Sequence, residues 1–253
     1  MRKISVVSSS RSDYGILKTL IYKIQKDKFF QTSVYVTGSH LSKEFGKTFK
    51  EIREDKIKIK KKIYINFSND KSDNLRKAIS EGINKFSKEF KINKPDILIV
   101  LGDRYEIFSV VIAAMINQIP IAHIHGGEST EGVIDEAIRH SITKMSHIHF
   151  ASTKKYSNRI QQMGENKKYI FNVGSLGVEN IKKYNFISRD GLQKKFKFRF
   201  KERNLVITLH PETLGDRDSE KNIRNLLNSF QSVRKNTCFI FTMPGAELGY
   251  KVI

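Results

Sequence analysis

The sequence predicts an α/β fold in which a mostly parallel β-sheet is covered by helices on both faces. Apolar, β-branched runs alternate along the chain with segments of helical periodicity, and this alternation is typical of doubly wound sheets. The runs are apolar throughout, as expected of strands buried on both faces. Hydrophobic residues make up 39% of the 253 residues, which is enough for a sizeable core and excludes a disordered chain.

The first part of the chain, residues 1–173, is predicted to form one doubly wound domain. Strands are expected at 3–9, 31–37, 61–67, 96–102, 119–125, 147–152 and 168–174. Helices are expected at 16–27, 41–55, 72–91, 105–117, 133–146 and 153–162. In the helix at 133–146 the apolar side chains recur at helical spacing and share one face. That face would cover the sheet.

Residues 174–203 are predicted to be a linker, because Gly174 and Gly177 suggest a hinge. A second α/β domain is predicted to start at residue 204, with a strand at 204–210, a helix near 218–235 and a strand at 237–242. Two strands and one helix are too few for a stable α/β domain. We therefore interpret 204–253 as the truncated start of one.

The chain carries 46 Lys and Arg against 26 Asp and Glu, a formal net charge of +20. Nucleic-acid binding would suit this charge, but the lysines are spread along the whole chain. Two basic stretches, 57–64 and 196–203, alternate cations with apolar residues and predict half-buried strands with one solvated face. An anionic small substrate suits the charge equally well, so we expect no nucleic-acid partner.

Several features together predict a cytoplasmic protein without a membrane partner. No run approaches the ~18 apolar residues of a membrane span. The apolar stretch at the N-terminus is too short for a signal peptide and is followed at once by Arg11 and Asp13. The single cysteine, Cys238, cannot form an internal disulfide, and its apolar neighbours predict a buried core thiol.

Polar groups follow four predicted strands at the point where each strand ends. They are SSSRSDYG at 8–15, TGSH at 37–40, LGDRYE at 101–106 and HIHGGES at 123–129. Parallel strands end at the same edge of a sheet, and ligands bind at that edge. The sequence therefore predicts a polar site there.

The first group, SSSRSDYG, lacks the glycine patterns of dinucleotide-binding and P-loop sites. A serine-rich turn that opens a helix can still bind phosphate through its backbone amides, and Arg11 could pair with a phosphate. The alternative is plain helix capping by Ser12 or Asp13, with Arg11 in solvent.

Two further groups carry candidate acids and bases. Asp103 directly follows a predicted buried strand and could transfer protons in a cleft, or could cap the next helix. In HIHGGE, two glycines allow a close backbone approach to a ligand, while His125 and Glu128 are titratable. Capping would explain Glu128 but not the histidines and glycines beside it.

The remaining polar candidates have simpler alternatives. Asp135 and Arg139 are four residues apart on one helix, a spacing that also suits a surface ion pair. Four histidines at 123, 125, 147 and 149 could suggest zinc, but strand alternation explains each pair and no cysteine joins them. We expect no metal. His210 ends a predicted strand and is a donor candidate or a satisfied histidine before a turn.

The motifs RSDYG, GDRYE and HIHGGESTEGVIDEAIRHSITKMSHIHF resemble those of the UDP-N-acetylglucosamine 2-epimerases, especially the hydrolysing branch that initiates sialic and legionaminic acid biosynthesis. VGSLGVENI and ITLHPET extend the resemblance over nearly the whole chain. It implies two Rossmann-like domains of the glycosyltransferase-B type, the second incomplete here. It also implies a homo-oligomer, a dimer or a tetramer, and no cofactor.

The resemblance implies a reaction on UDP-N-acetylglucosamine or a related UDP- or GDP-linked 2-acetamido sugar. The nucleotide is eliminated across C1–C2, and water then adds at C1 of the glycal to give an N-acetylmannosamine-type sugar. This chemistry needs a base, an acid and cationic donors. The implied catalytic residues are Asp103, His125, Glu128 and Asp135. The implied substrate- or nucleotide-binding residues are Arg11, Asp13, Arg104, Arg139 and His210.

The chain departs from the family pattern in two places. His125 stands where some hydrolysing members have glutamate, so either Glu128 or His125 itself is expected to take over that proton transfer. The resemblance also stops at residue 253, whereas family members continue with a part that binds uridine diphosphate. A catalytically inactive relative that binds a sugar or a partner chain is therefore the alternative to an active enzyme.

Overall fold

The computed structural model describes residues 1–65, 72–211, 213–214, 219–233, 235–246 and 250–252, without the side chains of residues 72, 73 and 252. The chain forms two compact units, Met1–Lys182 and Lys183–Ile253. Within the described ranges no helix is long and apolar enough to cross a membrane. The predicted limits 1–173, 174–203 and 204–253 stay a prediction.

The first unit contains a seven-stranded parallel sheet, as its apolar runs predict. Its strands are β1 (Arg2–Ser8), β2 (Phe30–Val36), β3 (Ile59–Lys62), β4 (Ile97–Leu101), β5 (Ile121–Ile124), β6 (Ile148–Ala151) and β7 (Ile170–Asn172). Their order is β3-β2-β1-β4-β5-β6-β7, and every pairing is parallel. The winding direction reverses between β1 and β4. In open α/β sheets ligands bind at this switch point, outside the carboxyl ends of the strands.

Helices cover both faces of the sheet and bury two apolar cores. The helices of this unit are α1 (Arg11–Lys26), α2 (Phe49–Glu54), α3 (Ser72–Ile92), α4 (Tyr105–Ile116), α5 (Ile134–Met145), α6 (Lys154–Gln162) and α7 (Leu176–Lys183). Leu98 and Val100 of β4 pack in the core with α3, α4 and α5, whereas Ile99 and Leu101 pack with α1 and α2. Alternate residues of a strand point to opposite faces. The strand is therefore apolar at every position.

The predicted helix at 41–55 is wrong over most of its length. The chain forms a 3₁₀ helix at Gly38–Leu41 and then turns, so that only α2 is α-helical. Gly46 and Lys47 adopt φ values of 78° and 52°, in the left-handed region, and this breaks a right-handed helix. The strand predicted at 61–67 lies at 59–62, and its positions 66 and 67 fall outside the described residues.

The second unit contains a two-stranded parallel sheet. Its elements are α8 (Arg189–Phe196), β8 (Arg203–Ile207), α9 (Ser219–Ser229) and β9 (Thr237–Phe241), and β8 pairs with β9. The basic stretch 196–203 is not a strand as predicted, because Phe196 ends α8 and Lys197 turns left-handed with φ 54°. The predicted helix at 218–235 is α9 followed by a 3₁₀ turn, with positions 218 and 234 outside the described residues. Cys238 is only half-buried.

Candidate functional site

Arg139 joins three of the predicted site segments. Its guanidinium donates to the carboxylate of Asp103, which follows β4, and to the carbonyl of Glu128 at 3.0 Å. It also donates to Glu136 at 3.1 Å and to Thr130 at 3.2 Å. Only 7% of its side chain is exposed. Arg139 is therefore a buried bridge between motifs and not one half of a surface ion pair.

Asp135 lies in the first turn of α5, one turn before Arg139, and is half-buried. A carboxylate in the first turn of a helix is favoured by the helix dipole. Arg139 uses Asp103 and Glu136 as its ionic partners. The predicted catalytic role of Asp135 stays a prediction.

His125, Glu128 and Ser152 form a relay beside Asp103 and Arg139. Nδ1 of His125 lies 3.1 Å from Glu128 Oε1, which also accepts a hydrogen bond from the Ser152 hydroxyl at 2.6 Å. Burial raises the pKa of Glu128, but the bonds from His125 and Ser152 more than offset this and hold it below its usual range. Nε2 of His125 is buried and has no hydrogen-bond partner among the described residues. A carboxylate that orients one imidazole nitrogen leaves the other to transfer a proton.

The backbone of His125 is in the left-handed region, with φ 64°. Non-glycine residues rarely adopt this conformation, and where they do it often marks a functional site. The turn that it begins is packed tightly, because a Cβ on Gly126 would lie 2.8 Å from His123 Nδ1. A Cβ on Gly127 would lie 2.6 Å from Ile160 in α6. Both glycines are therefore required by packing.

Gly127→Ala is expected to destabilise the chain by roughly 3 kcal/mol, because it combines left-handed strain with a clash. Gly132→Ala is the matched control. Both glycines have positive φ, of 71° and 75°, but the space at Gly132 is open. The control should lose only about 1 kcal/mol. Urea unfolding measures both, and equal losses would show that α6 does not press on Gly127.

His123 is fully buried and supports the structure of the site. The sequence alone did not predict this role. Its Nε2 donates to the carbonyl of Gly102 at 2.7 Å, and its Nδ1 lies 3.2 Å from the Thr143 hydroxyl. These contacts connect the end of β4 to α5. Burial lowers the pKa of His123 to about 3, so the ring is neutral. Its place in an apolar strand was the available signal, since a polar residue there must be satisfied internally.

The histidines considered for zinc are used in other ways. His149 pairs in register with His123 across β5 and β6, and its Nε2 lies 3.3 Å from Glu165. His147 Nδ1 accepts a hydrogen bond from the Ile121 amide at 3.3 Å. Among the residues that the structure describes, no group of three or more histidine, cysteine or acidic side chains could bind a metal ion.

The serine turn after β1 forms a second polar cluster. Ser10 caps α1 by accepting from the Asp13 amide at 3.2 Å, so the capping residue is neither Ser12 nor Asp13. Asp13 instead accepts from the Ser9 hydroxyl at 2.6 Å. Arg11 is exposed and pairs with Glu51 of α2 at 2.8 Å. A bound anion would compete with Glu51 for Arg11.

His40, from the TGSH group, is buried against this turn. Its Nε2 lies 3.0 Å from the Ser8 hydroxyl and its Nδ1 lies 2.7 Å from the Thr48 hydroxyl. Burial lowers its pKa to about 4. His40 was not among the predicted site residues, because a histidine after a strand carries no burial signal of its own.

Unfolding should become easier as the pH falls below about 6.5, the pKa of an unfolded histidine. His40 and His123 have folded pKa values of about 4 and about 3. Below about pH 6.5 the unfolded chain therefore binds more protons than the folded chain. Each histidine lowers the free energy of unfolding by up to about 1.4 kcal/mol per pH unit. Glu106 acts in the opposite direction, because burial raises its pKa.

The measurement is the free energy of unfolding in urea at about pH 7 and about pH 5. A His40→Asn variant isolates one histidine, since the amide can still bond to Ser8 and Thr48. Its stability should fall less steeply with acid than that of the wild type. Parallel pH curves for the two proteins would contradict the assignment to His40.

Arg104 and Glu106 follow Asp103 at the start of α4. Arg104 Nε lies 3.4 Å from Glu106 Oε2, and the two side chains are 15% and 0% exposed. His210 follows β8 in the second unit, where it is exposed. Its predicted role in binding the nucleotide stays a prediction.

A family model for UDP-N-acetylglucosamine 2-epimerase matches residues 22–253. The chain belongs to this family. The GDP/UDP-N,N'-diacetylbacillosamine 2-epimerase (hydrolyzing) of Campylobacter jejuni is 43% identical over 97% of the chain and 64% of its own length. The polysialic acid biosynthesis protein P7 of Escherichia coli is 39% identical over 100% of the chain and 64% of its own length. The UDP-N,N'-diacetylbacillosamine 2-epimerase (hydrolyzing) of Legionella pneumophila is 34% identical over 83% of the chain and 56% of its own length.

Solved epimerase structures confirm the predicted fold class. The Neisseria meningitidis UDP-GlcNAc 2-epimerase bound to UDP-GlcNAc superposes with a TM-score of 0.80 at 21% identity, over 99% of this chain and 67% of that one. The Methanocaldococcus jannaschii UDP-GlcNAc 2-epimerase in complex with UDP-GlcNAc and UDP superposes with a TM-score of 0.79 at 20% identity, over 99% of this chain and 67% of that one. The fold is therefore of the glycosyltransferase-B type, with its second Rossmann-like domain represented only in part. The chain spans about two thirds of the length of these epimerases.

Proposed function

We propose that this epimerase-family chain acts in a hydrolysing nucleotide-sugar 2-epimerase. The observation that carries the proposal is the His125–Glu128–Ser152 relay, which lies beside Asp103 and Arg139 at the carboxyl edge of the sheet. The names of the Campylobacter and Legionella relatives, both hydrolysing 2-epimerases, support it.

In the proposed reaction a base removes the proton from C2 of the sugar while the bond between C1 and the diphosphate oxygen breaks. The nucleoside diphosphate leaves and a glycal remains. Water then adds its oxygen to C1, and a proton returns to C2 from the opposite face. The products are a nucleoside diphosphate and a free sugar inverted at C2. The reaction uses only proton transfers and water, so we expect neither a metal nor a redox cofactor.

The side-chain contacts suggest how the catalytic roles are divided among these residues. His125 Nε2 transfers the proton that a glutamate transfers in some relatives, and Glu128 orients the ring through Nδ1. Asp103 is the second acid–base group, oriented by Arg139. Arg11 and Arg104 contact the diphosphate, as the family resemblance implies. Asp13 and Asp135 are proposed as further residues of the site, and the binding of the nucleotide by His210 stays a prediction.

We propose a 2-acetamido sugar linked to UDP or GDP as the substrate. The names of the relatives specify UDP-N,N'-diacetylbacillosamine, with GDP as a second nucleotide in the Campylobacter protein. Such a reaction would supply a sugar for a sialic or legionaminic acid of a surface polysaccharide, and the E. coli relative is named for polysialic acid biosynthesis. The cytoplasmic location and the homo-oligomeric state stay predictions.

Isotope-labelled turnover tests the function. The 253-residue chain, and the same chain extended with the C-terminal part of the Campylobacter relative, are incubated with UDP-N,N'-diacetylbacillosamine, its GDP analogue and UDP-N-acetylglucosamine. In heavy water with an ¹⁸O label, the expected free sugar carries deuterium at C2 and ¹⁸O at C1, and EDTA has no effect. Inactivation by EDTA contradicts the mechanism. An epimer still linked to its nucleotide places the chain in the non-hydrolysing branch.

The alternative is a catalytically inactive relative that binds a sugar or a partner chain. The chain covers 64% of the length of its Campylobacter relative, so the extended form is tested beside it. Calorimetry separates the two functions. An inactive relative would bind the nucleotide sugar or its product and leave the label unincorporated, in the extended form as well.

A further inference from the structure

Glu106, the second residue of α4, is a buried acid that the proposed mechanism does not use. Its side chain is 0% exposed, and neither carboxylate oxygen has a hydrogen-bond partner among the described residues. Its charged neighbour is Arg104, whose Nε lies 3.4 Å from Oε2. The carboxylate also packs closely against Gly38, where a Cβ would lie 2.6 Å from Oε1.

Stability does not explain a glutamate at this position. A buried carboxylate without hydrogen bonds loses its hydration and gains little in return. Burial raises its pKa, the positive charge of Arg104 opposes that shift, and the negative charge of Asp13 adds to it. The dipole of α4 favours a negative charge in its first turn, but burial outweighs the groups that stabilise the charge, since the pKa of Glu106 is raised. Glutamine would fill the same volume without a buried charge.

The position of the pair suggests what it does. Arg104 follows directly after Asp103, which is bonded to Arg139. Gly38, against which Glu106 packs, begins the 3₁₀ helix that holds His40 against the serine turn. The Arg104–Glu106 pair therefore lies between the two polar clusters, close to the point where the sheet reverses its winding direction between β1 and β4.

We propose that Glu106 is a positioning residue that holds the Arg104 side chain at the switch point of the sheet, in place to contact the diphosphate of the substrate. The contact with the diphosphate rests on the proposed function, whereas the positioning of Arg104 does not. Glu106 itself touches no substrate atom. Its charge restricts the rotamers of the Arg104 side chain, whose Nε lies 3.4 Å from Oε2.

The test compares Glu106→Gln with Glu89→Gln in the full 253-residue chain. Glu89 is a matched control, because it is also buried and also paired with a cation, Lys61. Its other partners, Tyr35 and Asn93, are not residues of the site. The first readout is hydrogen exchange of the Arg104 Nε–H by NMR, with the signal assigned by its loss in Arg104→Lys. The second is the Kd for UDP, measured by calorimetry.

In Glu106→Gln the Nε–H of Arg104 should exchange at least about 10-fold faster, and the Kd for UDP should rise about 10-fold, the scale of one lost charged contact. The melting temperature should stay unchanged or rise. Glu89→Gln should lower the melting temperature and leave both readouts unchanged. Adding Glu106→Gln to Arg104→Gln should not weaken UDP binding further, because Glu106 acts through Arg104.

The exchange readout separates this proposal from the proposed function. Unchanged exchange of Arg104 in Glu106→Gln overturns the positioning role, whatever UDP does. Additive losses in the double variant also overturn it. If the wild-type chain binds no UDP even when extended with the C-terminal part of the Campylobacter relative, the proposed function is contradicted. Faster exchange in Glu106→Gln would still support the positioning of Arg104.

Discussion

Asp103→Asn is expected to lower kcat by about 10²-fold or more, the usual scale for a lost general acid–base group. An amide cannot exchange the proton, although it can still accept a hydrogen bond from Arg139. The KM should change less than kcat. The fold should survive, because Asp103 follows β4 at the edge of the sheet and Arg139 keeps Glu136 as an ionic partner. Steady-state release of the nucleoside diphosphate measures the effect in whichever form of the chain is active.

Glu136→Gln is the matched control for Asp103. It removes the other ionic partner of Arg139, so a purely structural role for Asp103 would make the two variants alike. We expect Glu136→Gln to lower stability and to leave kcat within a few-fold of the wild type. Near-wild-type turnover by Asp103→Asn would remove Asp103 from the mechanism.

His125→Asn is expected to lower kcat by a similar factor of about 10². Asparagine tolerates the left-handed backbone that His125 adopts at φ 64°, so this variant avoids new strain. Its amide can still bond to Glu128 but cannot transfer a proton. The melting temperature should therefore stay close to that of the wild type while turnover falls.

The variants Glu128→Gln and Ser152→Ala test the roles of the two other groups of the relay. We expect Glu128→Gln to lose about 10² in kcat, because the imidazole loses the carboxylate that orients it. Ser152→Ala removes a hydrogen bond from Glu128 and keeps the Glu128–His125 contact, so only a few-fold loss is expected. Full activity of His125→Asn alongside an inactive Glu128→Gln would mean that Glu128 itself is the acid–base group.

The local pattern predicted the strands of the sheet better than the segments between them. A run such as residues 97–101 is apolar at every position, as expected of a short strand buried on both faces. The helix predicted at 41–55 failed because the left-handed turn at Gly46 and Lys47 leaves little trace in composition. The strand predicted at 196–203 failed because alternation cannot exclude the end of a helix, here α8.

By itself, the sequence determined the family, the parallel sheet and the edge at which the polar motifs collect, because these depend on apolar runs and on short contiguous motifs. Tertiary structure alone decided which side chains act together. Arg139 reaches Asp103 across 36 positions of sequence. His125 contacts Glu128 from a backbone with positive φ, and Glu106 and His40 are buried because other segments cover them. Contact across distant segments and burial are properties of the packed chain, and no local spacing encodes them.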